Sequence, residues 1–505
     1  MNAVMAPGYD ERYSQEHAPV HFVINSHINF GNNEAGARGM RLKVGCSHMA
    51  MKSLCAQDGK SARWPKMAFQ ALAACSFLLT AEAHAQIKVQ GSTAPTIDPR
   101  RTTSGAKITA EAAPEQDVNG SSDDKRLSES YQPKGVDLGL FLLLPKVESE
   151  LAFNSNIYAT RSDAKSDFYT AIRPELSLRS RFSQHDLNLR VLAEKYYYQT
   201  YTRDNRLDFQ TDLSGRYDVQ SGSELTLFTQ YFSRHEDRSS PDEAGGLKPT
   251  PTQGWVSRLG GKHELGRYTF SGDITAQRLT FDPVATSTGT IVPNGDRNRW
   301  ELEGRLRGAY EMFPGYAAVT QVSANTRRYD DSFDRNGYDR SSHGYRVEGG
   351  IGIDISQLLR GDFLVGYLAQ DYRDPRFKDP SGLSVRATFN WTPDKLLIVV
   401  PSLERVVSET TRAGTSSQVR TTGSVLVRYE AERNILLSGF LSAAYSENSG
   451  QAPTDWLYEA RVRGVYSFSP ELFAGAEAVQ KIKETQGEVG GYRQTTFMLR
   501  LGLQI

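Results

Sequence analysis

The sequence predicts an all-β fold: an antiparallel, up-and-down transmembrane β-barrel of about 18 strands (range 16–18) behind a disordered N-terminal tail. Three observations carry the prediction. The last nine residues, Phe497 to Ile505, put an apolar side chain at every odd position, while most even ones are small, polar or charged. Such a strand has one greasy face and one wet face. The same period-2 pattern recurs about every 20 residues back to about residue 140. An export signal precedes it, and no apolar run reaches the ~18 residues a membrane-spanning helix needs. Insertion into a bilayer must therefore use strands, closed so that no edge faces lipid.

The N-terminal elements come first. The apolar stretch Met67 to Thr80 follows Lys52, Lys60, Arg63 and Lys66 and precedes Ala83-His84-Ala85. This is the basic region, apolar region and small-x-small site of a secretory signal over residues 51–85, with cleavage between Ala85 and Gln86. Residues 1–50 show neither periodicity nor a targeting pattern and read as a mis-assigned upstream leader, with the true start at Met49 or Met51; a genuine extended leader is the alternative. All three cysteines, Cys46, Cys55 and Cys75, precede the cleavage point, so the exported chain carries no disulfide. Leu72-Ala73-Ala74-Cys75 is similar to a lipoprotein box, but its apolar run continues through Phe77-Leu78-Leu79, which favours cleavage at Ala85 over lipidation of Cys75. Removing residues 1–85, with eight basic and six acidic side chains, leaves 51 basic against 53 acidic, a balance that favours no nucleic acid. Residues 86–135, rich in Gly, Ser, Thr, Ala, Pro, Asp and Glu, form a disordered periplasmic tail.

Over residues 136–505 the alternation predicts strands near 143–156, 167–183, 187–199, 207–219, 224–235, 254–264, 267–280, 297–312, 316–329, 341–354, 362–372, 381–391, 395–409, 417–431, 435–447, 455–467, 471–485 and 491–505. Their connections alternate in length. Even-numbered strands end in tight turns such as Gln220-Ser221-Gly222-Ser223, Phe313-Pro314-Gly315 and Ser469-Pro470. Odd-numbered strands end mostly in longer polar loops, including His235 to Gly254, Phe281 to Asp296 and Asp330 to Arg340. Outer-membrane barrels have short periplasmic turns and longer extracellular loops, so both termini fall on the periplasmic side.

The faces agree strand by strand. Leu187, Leu189, Val191 and Ala193 are assigned to lipid, and Asn188, Arg190 and Glu194 to the lumen. Trp300, Leu302, Gly304 and Leu306 oppose Arg299, Glu301, Glu303, Arg305 and Arg307; Val425, Val427 and Tyr429 oppose Ser424 and Arg428; Tyr458, Ala460, Val462 and Tyr466 oppose Glu459, Arg461 and Arg463. A soluble sandwich would show the same alternation. Aromatics near strand ends, namely Trp255, Tyr268, Tyr310, Tyr329, Trp391, Trp456 and Phe468, favour the barrel, since interfacial girdles sit there.

The segment Phe141-Leu142-Leu143-Leu144-Pro145-Lys146-Val147, followed by Phe153-Asn154-Ser155-Asn156-Ile157-Tyr158, resembles the opening strand of the bacterial outer-membrane family named putative β-barrel porin 2, and the likeness in pattern covers about residues 136–505. Members of that family often accompany exopolysaccharide gene clusters. The resemblance therefore implies a role in moving a polymer across the outer membrane of a Gram-negative cell, and it transfers no catalytic residues. The terminal strand resembles the signal read by the barrel-assembly machinery, with Gly502 near its end, but finishes on Ile505 rather than an aromatic residue.

About 18 strands leave an aqueous bore when nothing plugs it. The expected function is an outer-membrane channel for exopolysaccharide export. A general diffusion porin for small hydrophilic solutes is the alternative, and a structural or adhesive barrel the next. Candidate lumen-lining residues are Arg190, Glu194, Tyr196, Tyr198, Arg299, Glu301, Glu303, Arg305, Arg307, Arg428, Glu459, Arg461, Arg463 and Arg500; Tyr196, Tyr198, Phe228, Phe232 and Tyr372 are candidate ring faces for sugars. Most of the charges are expected to satisfy one another. His185, His235, His263 and His343 stand without a Ser or Asp partner at a recognisable spacing, and no Gly-x-Ser-x-Gly, His-Glu-x-x-His or P-loop appears, so neither enzyme activity nor a cofactor is expected. The acidic run Asp330 to Asp339 lacks the bidentate glutamate spacing of a calcium hand and reads as a solvated loop. Expected partners are outer-membrane lipid and lipopolysaccharide, the assembly machinery and a periplasmic polysaccharide export protein.

Overall fold

A computed structural model describes residues 131–505, apart from 241, 244, 356, 357, 451, 452 and 487–489. The leader, the signal segment with its Ala85/Gln86 junction, Cys75 and nearly all of the 86–135 tail lie outside the described residues.

Eighteen long antiparallel strands follow one another: β1 (Phe141–Asn154), β2 (Asp167–Ser180), β3 (Asp186–Tyr198), β4 (Arg206–Gln220), β5 (Ser223–His235), β6 (Pro251–Leu265), β7 (Tyr268–Phe281), β8 (Arg299–Phe313), β9 (Tyr316–Tyr329), β10 (Ser342–Ile355), β11 (Leu359–Tyr372), β12 (Ser381–Trp391), β13 (Leu397–Glu409), β14 (Ser417–Glu432), β15 (Ile435–Asn448), β16 (Asp455–Ser467), β17 (Leu472–Thr485) and β18 (Tyr492–Gln504). Each pairs with its sequence neighbours, and β18 pairs back onto β1 from Thr496 opposite Asn154 to Gln504 opposite Lys146. That last ladder closes the barrel and removes the edges that lipid would leave unsatisfied. Every predicted strand is present, its ends displaced by three residues at most. The shortest has 11 residues and the longest 16, so all exceed the roughly 25 Å apolar band at a tilt of about 40°.

Turn chemistry fixes the short end. Gly222 and Gly315 take φ of +76° and +83° in two-residue turns, a backbone region where a side chain would be strained. Proline interrupts the ladders where its missing N–H must fall. The β2–β3 pairing skips Arg173 and Pro174, and the β12–β13 pairing skips Val400 and Pro401.

The packing is inverted relative to a soluble domain. Leu306, Val462 and Leu499 point outward and are exposed, while Glu150, Glu348, Arg461 and Arg500 are buried on the opposite face. Outward aromatics pair near both ends of the strands, as in Trp255 with Trp300 and Tyr268 with Tyr310. Tyr329 departs from its expected girdle place. It lies opposite the inward Arg299, is buried, and its hydroxyl donates to Glu409 at 2.8 Å.

Two inward rings lie on glycines of the next strand. Phe232 is paired with Gly254 and Phe473 with Gly502, and a Cβ added at either glycine would fall within the ring. Only a residue without a side chain lets these aromatics lie flat on the wall.

Candidate functional site

The inner wall is built from charges that neutralise one another along its circumference. Glu150, on β1, accepts from Arg173 of β2 at 2.5 Å and from Arg500 of β18 at 2.6 Å. Arg173 also donates to Glu194 of β3 at 2.5 Å; Arg500 reaches Glu477 of β17 at 3.1 Å, Arg461 of β16 reaches Glu477 at 3.6 Å, and Arg461 donates to Glu459 at 2.7 Å. Glu194, Arg173, Glu150, Arg500, Glu477, Arg461 and Glu459 thus alternate in sign across six adjacent strands and over the seam where the barrel closes. Period-2 alternation puts every second side chain inside, and the staggered register brings them to one level.

All fourteen candidate lining residues sit on this inward face. Arg190 spans Glu175 at 3.0 Å and Asp212 at 3.5 Å. On β8, Arg299 holds Glu301 at 2.7 Å, Arg305 holds Asp273 at 3.0 Å, and Arg307 reaches across to Asp362 of β11 at 2.7 Å, with Glu303 on the same face. Arg428 and Arg463 are buried on β14 and β16. The structure does not gather the fourteen at one place. Arg190, Glu194, Tyr196, Tyr198 and Arg500 share one cavity, whereas the β8, β14 and β16 sets line other parts of the wall.

That cavity, about 270 Å³, lies between the β1–β6 and β17–β18 wall and the β5–β6 loop, residues 236–250. Tyr169, Tyr196 and Tyr198 cluster in it, with centroids 5.9 and 5.2 Å from Tyr169. Arg206 lies 4.2 Å from the Tyr196 ring and donates to the Tyr198 hydroxyl at 3.0 Å. Phe228 faces inward on β5, Phe232 is buried against Gly254, and Tyr372 stands on another part of the wall, its hydroxyl donating to Glu409 at 3.0 Å.

The β5–β6 loop is a strap over the mouth. Near its root, Arg297 clamps Glu236 at 2.7 Å and Arg238 donates to Asp204 at 2.8 Å and to the carbonyl of Gly246 at 2.6 Å. At the same root, Asp237 faces Lys481 of β17 at 3.6 Å. At its far side, Asp242 accepts from the hydroxyls of Thr410 and Thr411 at 3.1 and 3.0 Å and from the Thr411 amide at 2.9 Å. Burial pushes the Asp237 carboxyl up, but Lys481 and Ser239 outweigh it and hold it below the ordinary range. Burial and the Asp204 carboxylate, to which it donates, push the Tyr158 hydroxyl up to about 12.

The acidic loop 330–341 belongs to the same roof. Arg278 donates to Asp330 at 2.6 Å, Arg340 to Asp334 at 2.6 Å, and Arg335 to Asp296 at 2.8 Å. These carboxylates are committed to arginines, and among the described residues no group of three metal-ligating side chains converges. Three histidine pairings escaped the sequence: His235 Nδ1 lies 2.8 Å from Asp208, His343 Nε2 lies 3.6 Å from Asp371, and Ser223 Oγ lies 2.7 Å from His263 Nδ1, exposed at a turn, where among the described residues no carboxylate is hydrogen-bonded to that imidazole.

Alternation alone could have assigned Glu150, Arg173, Glu477 and Lys481 to the lumen, although sequence reasoning did not single them out. Nothing local marks the strap, whose latch partners Thr410 and Thr411 lie across the barrel.

No curated protein matches. Among solved structures, the chain is similar to OccK3 (OpdO) of Pseudomonas aeruginosa at 12% identity, covering 72% of this chain and 95% of that one with a TM-score of 0.37. It is similar to OpdK of the same organism at 11% identity, covering 72% and 98% with a TM-score of 0.36. It also matches the ferric-catecholate import receptor Fiu of E. coli at 11% identity, covering 71% and 81% with a TM-score of 0.36. Likenesses this weak carry no conclusion about substrate or transport. The model of one family, by contrast, matches residues 129–505, three quarters of the sequence. The chain, an outer-membrane β-barrel with a porin-like channel fold, belongs to the family described as Putative beta-barrel porin 2.

Proposed function

We propose that this outer-membrane barrel exports an exopolysaccharide through a lumen that the β5–β6 strap closes at rest. The observation that carries the reading is the composition of the cavity under the strap. The rings of Tyr169, Tyr196 and Tyr198 stand beside guanidinium groups with several donors each. A sugar presents an apolar ring face and a rim of hydroxyls, and an aromatic face flanked by fixed donors suits both. In this reading a periplasmic export protein delivers the polymer at the short-turn end, and lipid and lipopolysaccharide surround the apolar face. The test is deletion of the gene: loss of surface polymer with unchanged uptake of small solutes is expected, and unchanged polymer overturns the reading.

The size of the cavity favours a second reading, a diffusion porin for small hydrophilic solutes. It predicts stable ion conductance of the purified protein in planar bilayers and an uptake defect on deletion. An uptake defect with intact polymer would establish it in place of export.

A further inference from the structure

The cavity under the strap holds one arginine, Arg234, with no carboxylate in contact: Asp208, Glu194 and Glu236 act on it only from beyond ion-pair distance. The other arginines lining it each meet a carboxylate: Arg173 and Arg500 through Glu150, Arg190 through Glu175, Arg206 through Asp208 at 3.5 Å, and Arg238 through Asp204. Arg234 does not. Among the described residues no carboxylate oxygen comes within 4.0 Å of its guanidinium, and no hydrogen bond engages it. The nearby Asp208 is occupied by His235 at 2.8 Å and by Arg206.

Arg234 is also held in position. Its guanidinium lies 4.4 Å from the centroid of Phe232, two residues earlier on the same face of β5. Phe232 in turn lies flat on Gly254, where any Cβ would enter the ring. The glycine admits the ring and the ring supports the guanidinium, whose donors make no hydrogen bond among the described residues. A half-buried guanidinium with no carboxylate in contact is a preformed fork for one.

We propose that Arg234 is the carboxylate-binding residue of an acidic-saccharide site, taking a uronate carboxylate in bidentate fashion while the sugar ring lies against the Tyr169, Tyr196 and Tyr198 cluster. The inference rests on the export reading and narrows it to a polymer that bears carboxylates.

The test titrates the purified full barrel in detergent, by calorimetry, with a uronate hexamer, the neutral hexamer of the parent hexose, and succinate. The uronate hexamer is expected to bind about tenfold or more tightly than either of the others. Arg234→Gln should remove that advantage while leaving the neutral hexamer unchanged, and Arg234→Lys should keep part of it. Heat-modifiable migration on gels verifies that both variants are folded barrels. Equal binding of the two hexamers, or an Arg234→Gln variant that still discriminates, overturns the site. Succinate binding as tightly as the uronate hexamer overturns its saccharide character. Failure of the export reading looks different: uronate binding that depends on Arg234, with surface polymer intact after gene deletion, refutes export and leaves a carboxylate site. Loss of polymer on deletion, with no uronate preference, refutes the site and leaves export.

Discussion

Asp242 accepts hydrogen bonds from the amide and the hydroxyl of Thr411 at 2.9 and 3.0 Å, although eight strands separate their loops one way round the barrel and ten the other. The β5–β6 strap therefore meets the β13–β14 loop from the opposite wall, and one carboxylate latches the two together. A segment rooted at one wall and latched to the opposite one has two natural arrangements, and they differ by a few hydrogen bonds.

Asp242→Ala is expected to release the strap without unfolding the barrel. Hydrogen bonds to a charged acceptor contribute about 1.5–3 kcal/mol, so the released fraction should rise about tenfold or more. Single-channel recordings in planar bilayers would show longer or more frequent openings, with the thermal transition of the barrel unchanged. A record identical to that of the parent protein would mean that the latch does not hold the strap.

Glu150 is the keystone of the closing seam, since among the described residues it alone joins Arg173 of β2 to Arg500 of β18. Its side chain is fully buried. Glu150→Ala would leave two guanidiniums facing each other without their shared anion, a loss of about 3–5 kcal/mol when a buried pair is broken. Urea-induced unfolding should show a lower midpoint than that of Glu459→Ala, which removes a charge at the end of the chain rather than its middle. Equal midpoints would show that the seam does not depend on the shared carboxylate.

The range of the forces involved decides which of these features are legible in the sequence. Period-2 alternation is a local property, so strand count, faces and the inward set from Arg190 to Arg500 can be read directly. Tyr329 is misplaced when proximity to a strand end is allowed to outweigh parity with Arg299. The pairing partners are hidden, because which arginine meets which carboxylate depends on stagger between strands as much as on position within them. The strap is hidden altogether: residues 236–250 look like any polar loop until Thr410 and Thr411 are brought to the other side of the mouth.

Gly502 is visible as a feature of the terminal strand, and the structure supplies its reason. A Cβ at 502 would enter the ring of Phe473. Gly502→Ala should destabilise the barrel by about 1–3 kcal/mol, the usual cost of overpacking. The strain should be relieved by a second change, Phe473→Leu, which makes the pair non-additive. Heat-modifiability and urea midpoints of the two single variants and the double variant measure the coupling. Additive losses would show that the ring and the glycine act independently.

The roof should withstand mild acid and fail in strong acid. Burial pushes the Asp296 carboxyl up, but hydrogen bonds and charge from Arg335 bring it below its ordinary value, and Arg376 holds Asp374 well below it. Asp237 is lowered in the same direction by Lys481 and Ser239. A carboxyl whose folded pKa is depressed stabilises the folded arrangement fully above its unfolded value, about 3.9, and loses that contribution as pH falls through the folded value. Glu243, next to the latch residue Asp242, runs the other way: burial raises its pKa, so protonation relieves rather than weakens the strap there. With three depressed carboxyls against one raised, net protection of residues 236–250, 282–298 and 373–380 should stay level from about pH 5 to 8 and fall below about pH 4. Hydrogen exchange of loop peptides, corrected for intrinsic rates, reads this while β1–β18 remain protected. Loss of loop protection between about pH 6 and 7 would sink the assignment, because none of the three depressed carboxyls changes charge there and protonation of Glu243 would only relieve the strap.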